Sequence, residues 1–152
     1  MLHLGDDQVR QGVLQRFDLL RPNVPALWGK MTACQMLCHL TDSFGVAMGV
    51  KTASSAGTLF HRTITKWGAL YLPFRWPQGV PTMPEVEQGA GGTPPRQFDA
   101  DLSLLIEAIN RFCEPNRGFS WRPHPLFGPM SDRQWMRWGY LHTDHHLRQF
   151  GV

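Results

Sequence analysis

The sequence lacks the features of several protein classes. No run of about 18 apolar residues occurs, so we expect no helix that spans a membrane and no membrane partner. The N-terminal stretch becomes acidic at Asp6 and Asp7, before an apolar segment of signal-peptide length can form. The three cysteines are an odd number and do not suggest a disulfide scaffold. These absences together predict a cytoplasmic protein.

Cys34 and Cys38 lie one helical turn apart, a spacing compatible with a shared metal or a redox role. Free cysteine is, however, among the most frequently buried residue types. We therefore interpret this pair as small buried side chains.

Charge is scarce as well, since only 18% of the residues are charged and the formal net charge is +3. A nucleic-acid interface held by phosphate contacts requires a clustered basic stripe, whereas this sequence has no run of like charge. We therefore expect no nucleic-acid partner. The hydrophobic content of 42% excludes an intrinsically disordered chain and suits a single domain over residues 1–152.

Strand signals are also missing, because no stretch alternates apolar and polar residues convincingly. Helical spacing instead recurs at about 6–20, 32–48, 99–113 and 131–149, and more weakly at 56–72. Thr32 and Ser131 are each followed three residues later by glutamine, which is the pattern of a capping box. Gly49 is a suitable C-cap for the second helix. The prediction is an all-α fold, a four-helix bundle with a shorter fifth helix.

Proline and glycine are concentrated between these helices. Residues 73–95 contain six prolines and four glycines, and residues 114–130 contain four further prolines. Loops longer than about 15 residues in a compact domain are usually functional or mobile. Because Phe74, Trp76 and Val80 lie at the start of the 73–95 loop, we expect this loop to pack against the body of the protein.

Histidine is the unusual constituent: seven occur, three of them between His142 and His146. At about 100° per residue, His142 and His146 share one stripe of the last helix, and the charged residues lie opposite. Imidazoles at i and i+4 can both reach one ion. The alternative is a pair of hydrogen-bonded core histidines or a surface cluster, although burial without polar partners is costly. His145 lies at the edge of the stripe and is the less favourable ligand.

Two histidines leave an ion under-coordinated, so a third ligand must come from elsewhere. His39 is the only other histidine within a well-capped helix, but its stripe is mostly polar and either lines a cavity or faces solvent. Thr143 stands where a zinc-protease helix requires glutamate after its first histidine, which argues against protease chemistry.

Two histidine-containing segments also carry a likeness to known proteins. Residues 39–42 (HLTD) on the second helix, paired with residues 142–149 (HTDHHLRQ) on the last, resemble the DinB/YfiT-like superfamily. Residues 28–32 (WGKMT), 124–128 (HPLFG) and 148–151 (RQFG) more specifically resemble its DUF1569 branch.

This resemblance implies a four-helix bundle that holds a divalent metal, commonly zinc or nickel, through His39, His142 and His146. Some relatives are thiol-dependent transferases, others are described as metal-dependent hydrolases, and many have no established activity. The expected partner is therefore a small-molecule substrate, with a low-molecular-weight thiol as one class, and a homodimer is compatible with the family. The alternative is a non-catalytic metal-binding or structural bundle of the stress response. No catalytic residue is assigned.

Three further residues are candidates for the surroundings of this site. Asp42, one turn beyond His39, either accepts a hydrogen bond from the second ring nitrogen of a ligand or is a solvated helix carboxylate. Gln149 and Trp135 share the stripe of His142 and are candidates to line the pocket, although for Trp135 core packing is the simpler interpretation.

Overall fold

The computed structural model describes residues 1–152 and is helical throughout, with no β-strand. Its five α-helices are α1 (Asp7–Phe17), α2 (Ala33–Met48), α3 (Lys66–Tyr71), α4 (Phe98–Cys113) and α5 (Asp132–Gln149). A π-helical turn, His61–Thr65, leads into α3, and a 3-10 turn, Pro84–Val86, interrupts the loop between α3 and α4. The all-helical prediction is therefore confirmed.

The ends of α2 and α5 are fixed by the capping groups that the sequence indicates. The Thr32 hydroxyl accepts the backbone N–H of Gln35, and the Gln35 side chain accepts the N–H of Thr32 in return. Ser131 and Gln134 make the same reciprocal pair at the start of α5. Gly49 ends α2 with φ of 77°, a left-handed conformation that favours glycine. Both helices that carry histidines therefore begin at well-defined residues.

The core forms where α2 meets α4 and α5, within one cluster of 21 buried hydrophobic residues. Phe44 of α2 and Phe112 of α4 pack edge to face with their ring centroids 4.8 Å apart. Gly139 of α5 lies directly against them: a Cβ there would stand 2.9 Å from Leu4 Cδ1 and 3.1 Å from the Phe112 ring. This glycine allows α5 to approach closely, and the depth at which α5 packs positions its histidines.

Two predicted helix boundaries differ from the structure. The first helix ends at Phe17 instead of near residue 20, because the N–H of Asp18 turns back to the Gln15 carbonyl; Leu20 is nevertheless buried. The weak helical segment begins only near residue 59, because the N–H groups of residues 56 and 57 both donate to the Pro125 carbonyl and hold the chain extended there.

The 73–95 loop follows the sequence expectation only in part. Trp76 is half-buried and donates its indole N–H to the Ala69 carbonyl, which fixes the start of the loop against α3. Phe74 and Val80, by contrast, are exposed, so the prediction that they pack down is wrong. The later part of the loop, around the 3-10 turn, packs over α2. No helix is both long and apolar enough to cross a membrane.

Candidate metal centre

Three imidazoles converge where α2 passes α5. Nε2 of His142 lies 3.3 Å from Nε2 of His39 and 3.2 Å from Nε2 of His146. Two nitrogen ligands of one tetrahedral zinc ion, each about 2.0–2.1 Å from the metal, are themselves about 3.3 Å apart. The ligand atoms of all three histidines lie within 4.8 Å of one another, so the group could hold a metal ion. The structure thus brings together the three histidines that the sequence singled out.

The second ring nitrogen of His39 fixes its tautomer. Nδ1 lies 2.9 Å from the backbone carbonyl oxygen of Val86, in the 3-10 turn of the long loop. A carbonyl oxygen can only accept a hydrogen bond, so Nδ1 carries the proton and Nε2 presents its lone pair to the cluster. His39 is buried, which resolves the ambiguity of its polar stripe: the stripe faces the 84–93 part of the loop instead of solvent.

His146 is fixed in the same way through a relay. Its Nδ1 lies 2.8 Å from Gln149 Oε1, and Gln149 Nε2 donates to the Trp28 carbonyl at 2.7 Å. Because that donation identifies the nitrogen end of the Gln149 amide, the end that faces His146 is the oxygen. His146 therefore also holds its proton on Nδ1 and directs a lone pair from Nε2. Gln149, a candidate for the surroundings of the site, thus orients the His146 ring.

His142 differs from the other two ligands because its Nδ1 is buried without a hydrogen-bond partner. Its ring packs against the Trp138 indole, with centroids 4.9 Å apart, and lies beneath Trp76 at 6.0 Å. His142 is also the only one of the three that is not fully buried. The cluster is therefore most accessible on the His142 side, beside Trp76.

Burial keeps all three imidazoles neutral. Desolvation lowers the pKa of His39 below its ordinary value of 6.5 and lowers the pKa of His142 and of His146 well below it. The neighbouring imidazoles reinforce this effect at His142 and His146, because a second positive charge within the cluster would be repelled. Neutral imidazole is the form that ligates metals, so the cluster is ready to bind at neutral pH.

Asp42 is placed beside the site without touching a ligand ring. Its carboxylate accepts hydrogen bonds from Lys51 Nζ, from the Thr93 N–H and from the Thr93 hydroxyl, each at 2.7 Å. The acceptor for His39 is the Val86 carbonyl, so the structure assigns Asp42 neither of the two roles expected for it. Instead, this buried carboxylate clamps the end of the loop that supplies Val86.

The remaining candidates from the sequence lie outside the cluster. Trp135 is buried in the core, stacked on Trp121 with ring centroids 5.6 Å apart. His145 packs edge-on against Trp28 at 5.7 Å and is not among the converging ligands. The cysteines are free thiols, and burial raises the pKa of Cys38 to about 12, so this thiol stays protonated.

The residues at 124–128 that support the family resemblance are structural. His124 Nδ1 accepts the backbone N–H groups of Leu126 and Phe127, at 3.1 and 3.0 Å, and its ring stacks on Phe127. Desolvation lowers the pKa of His124 to about 3. This imidazole therefore closes a tight turn as a neutral group and takes no part in the metal cluster.

Sequence reasoning missed the groups that orient the ligands. The carbonyls of Val86 and Trp28 belong to irregular segments, and a backbone acceptor leaves no signature in residue type. Trp76 and Trp138, which pack on His142, had partial signals: Trp138 shares the histidine stripe, and Trp76 begins the long loop.

These observations define an all-helical protein with a cluster of three neutral histidines, two of which have their lone pairs fixed, one by the Val86 carbonyl and one by the Gln149 side chain. A family model described as a protein of unknown function, DUF1569, matches residues 8–151. The chain therefore belongs to the DUF1569 family. Searches of curated proteins and of solved structures gave no match.

Proposed function

We propose that this protein binds a divalent transition metal through the Nε2 atoms of His39, His142 and His146 and uses it to act on a small-molecule substrate. The reaction class that we propose is thiol-dependent transfer or hydrolysis. One observation carries the proposal: two fixed lone pairs point at a third imidazole nitrogen only 3.2–3.3 Å away. A cation between the three Nε2 atoms would satisfy both fixed lone pairs and that of His142, whereas a proton on His142 Nε2 would have to be shared between two acceptors.

The chemistry follows from the number and kind of ligands. His39, His142 and His146 would hold the ion as neutral imidazoles, and a divalent ion held in this way would supply Lewis-acid chemistry that generates a nucleophile near neutral pH. Around it, Val86 and Gln149 keep Nε2 of His39 and of His146 free of protons. Trp76 and Trp138 pack against the His142 ring and cover part of it.

Zinc and nickel are the metals that we propose, since imidazole suits both and the ligand set by itself does not choose between them. We further propose that α1, α2, α4 and α5 correspond to the four-helix bundle of the DinB/YfiT-like superfamily. The competing function is a non-catalytic metal site that stabilises the bundle. Both functions predict bound metal, but only the first predicts turnover of a substrate.

Metal analysis of protein purified without a histidine tag tests the binding step. We expect one equivalent of metal in the wild type and a loss of most of it in His142→Ala and His146→Ala. His61→Ala is the matched control, because His61 is bonded to Thr58 and lies outside the cluster. A wild type without stoichiometric metal, whose content and stability do not change in His142→Ala, would contradict the proposal.

Incubation of the metal-loaded protein with electrophilic substrates, with and without a panel of bacterial thiols, tests the reaction step. A transferase yields a thiol conjugate that requires the thiol, whereas a hydrolase yields the water adduct in its absence. Both products should disappear in His142→Ala. A fully loaded protein that forms neither product with any pair would favour the structural function.

A further inference from the structure

The helical segment at residues 59–71 is built with its apolar side facing outward. Phe60, Ile64, Trp67 and Tyr71 follow along this segment, and all four side chains are exposed. Together with Leu59 and the adjoining Phe74 they form an apolar face whose side chains are exposed by 37% at Tyr71 to 79% at Leu59. The only buried residue of α3 is Leu70. A surface helix normally shows the reverse arrangement.

The polar residues of the same segment are held by their own chain. Arg62 donates to the Ser55 hydroxyl. Its side chain also packs against Gly128, where an added Cβ would lie 3.2 Å from Arg62 Cδ. Lys66 donates its ammonium group to the Pro129 carbonyl at 3.1 Å. The apolar face is therefore the unpartnered side of a helix whose polar side is already docked.

The apolar face is large for an exposed surface. Six side chains that each expose about 100 Å² give on the order of 600 Å², at the upper limit for the largest apolar patch of a monomer. One partner in a standard protein interface buries about 800 Å². The face thus provides most of one half of a stable dimer interface.

The charge of the apolar face favours a protein partner over a lipid surface. A peripheral membrane helix places several free cations around its apolar side. Here Arg62 and Lys66 are hydrogen-bonded to their own chain, and of Arg75 and Arg137, which lie near the Tyr71 end of the face, Arg137 donates to the Leu70 and Leu2 carbonyls. An apolar stripe that runs through Phe60, Ile64, Trp67 and Tyr71 can instead pack on its own symmetry mate, because a two-fold interface brings the same patch together from both subunits.

We propose that the apolar face at residues 59–74 is the interface through which two copies of this chain form a dimer. The dimer buries Ile64 and Trp67 at its centre and gives α3 the packing partner that it lacks within its own chain. The proposal does not depend on the metal: it uses none of the histidines and leaves the cluster on the other side of Trp76.

Sedimentation equilibrium of the full-length protein across the micromolar range tests this interface. We expect the wild type to have twice the chain mass of 17.3 kDa. Trp67→Glu and Ile64→Glu should weaken the dimer by about 1,000-fold, because each places two carboxylates, one from each copy, at the centre of an apolar interface. Leu104→Glu, at an exposed leucine on α4, is the matched control and should leave the dimer intact.

Circular dichroism and metal content verify that each variant is folded. A wild type that stays monomeric throughout this range overturns the proposal, and so does a dimer that Trp67→Glu and Leu104→Glu affect equally. A monomer that cosediments with mixed phosphatidylcholine and phosphatidylglycerol vesicles, and loses this binding in Trp67→Glu, would assign the face to a membrane surface instead.

Discussion

Asp42→Asn tests whether the long loop controls the metal cluster. The Asp42 carboxylate is buried and holds Lys51 and Thr93 through three hydrogen bonds of 2.7 Å. Lys51 also donates to the Gly91 carbonyl, and the Gly91 N–H donates to the Pro84 carbonyl at the start of the 3-10 turn. Asp42 therefore closes the stretch of loop that delivers the Val86 carbonyl to His39.

The expected cost follows from these contacts. A hydrogen bond to a charged group is worth about 1.5–3 kcal/mol, and the amide of asparagine can retain one of the three as an acceptor. Removing one partner of a buried ion pair costs about 3–5 kcal/mol, but the Lys51 side chain is 24% exposed and can turn toward water. We expect a loss of about 2–3 kcal/mol in unfolding free energy, which leaves a domain of ordinary stability folded.

The functional consequence is a weaker metal site. Loss of a group that orients a ligand typically lowers metal affinity by about 10–100-fold, and because Asp42 acts on His39 only through the loop, we expect about tenfold. Isothermal titration of the demetallated variant with zinc measures the affinity. Hydrogen exchange at residues 84–93 measures the release of the loop.

Asp101→Asn is the matched control for this prediction. Asp101 is also buried and also holds the loop, through the Arg96 N–H at 2.9 Å, but at a point beyond the Val86 turn. The Asp101→Asn variant should have a lower free energy of unfolding than the wild type but the same affinity for zinc. If Asp42→Asn releases the loop by hydrogen exchange and still binds zinc like the wild type, the proposed link between the loop and the metal is wrong.

Three further predictions concern single positions. Gly29→Ala should weaken zinc binding in the same titration by about tenfold, because φ is +77° there and an added Cβ would stand 2.7 Å from Gln149 Nε2, displacing the amide that orients a ligand. The pKa of His124 is about 3 in the folded protein, whereas its imidazole takes up a proton near pH 6.5 in the unfolded chain. The free energy of unfolding, measured with urea, should therefore fall by about 1.4 kcal/mol per pH unit as the pH decreases from about 6.5 to 3. His124→Asn should reduce that slope. Gly139→Val should lower the unfolding free energy by about 1–3 kcal/mol in urea titrations, since even a Cβ would collide with Leu4 at 2.9 Å.

The parts of the site that the sequence predicts are those governed by local helix geometry. The i, i+4 spacing places His142 and His146 on one stripe, and the structure joins their Nε2 atoms at 3.2 Å. The capping boxes at Thr32 and Ser131 are equally predictable, because each joins two residues that are only three positions apart in the sequence. The contribution of His39 was harder to predict, since a polar stripe has the same periodicity whether it faces solvent or a loop.

The parts that could not be predicted depend on contacts between distant segments. Val86 lies 47 residues from His39, and its contribution is a carbonyl that any residue could supply. The helix at residues 59–71 shows a second limit, because periodicity reveals an apolar face without revealing its direction. Phe60 and Trp67 fit a buried stripe by sequence, yet the structure directs them outward.

The helices and the segments between them contribute different features to the histidine cluster. Two helices set the spacing of the three Nε2 atoms, but the tautomers of His39 and His146 are set by the carbonyls of Val86 and Trp28, both from irregular segments. His142, which has no such acceptor, is the one ligand that can carry its proton on either nitrogen. Metal binding would require the His142 proton to lie on its unpartnered Nδ1, so His142 is the only one of the three whose tautomer is not already set. The proline-rich loop thus does more than connect α3 to α4, because its Val86 carbonyl sets the tautomer of His39, while the segment between α1 and α2 sets that of His146 through Gln149.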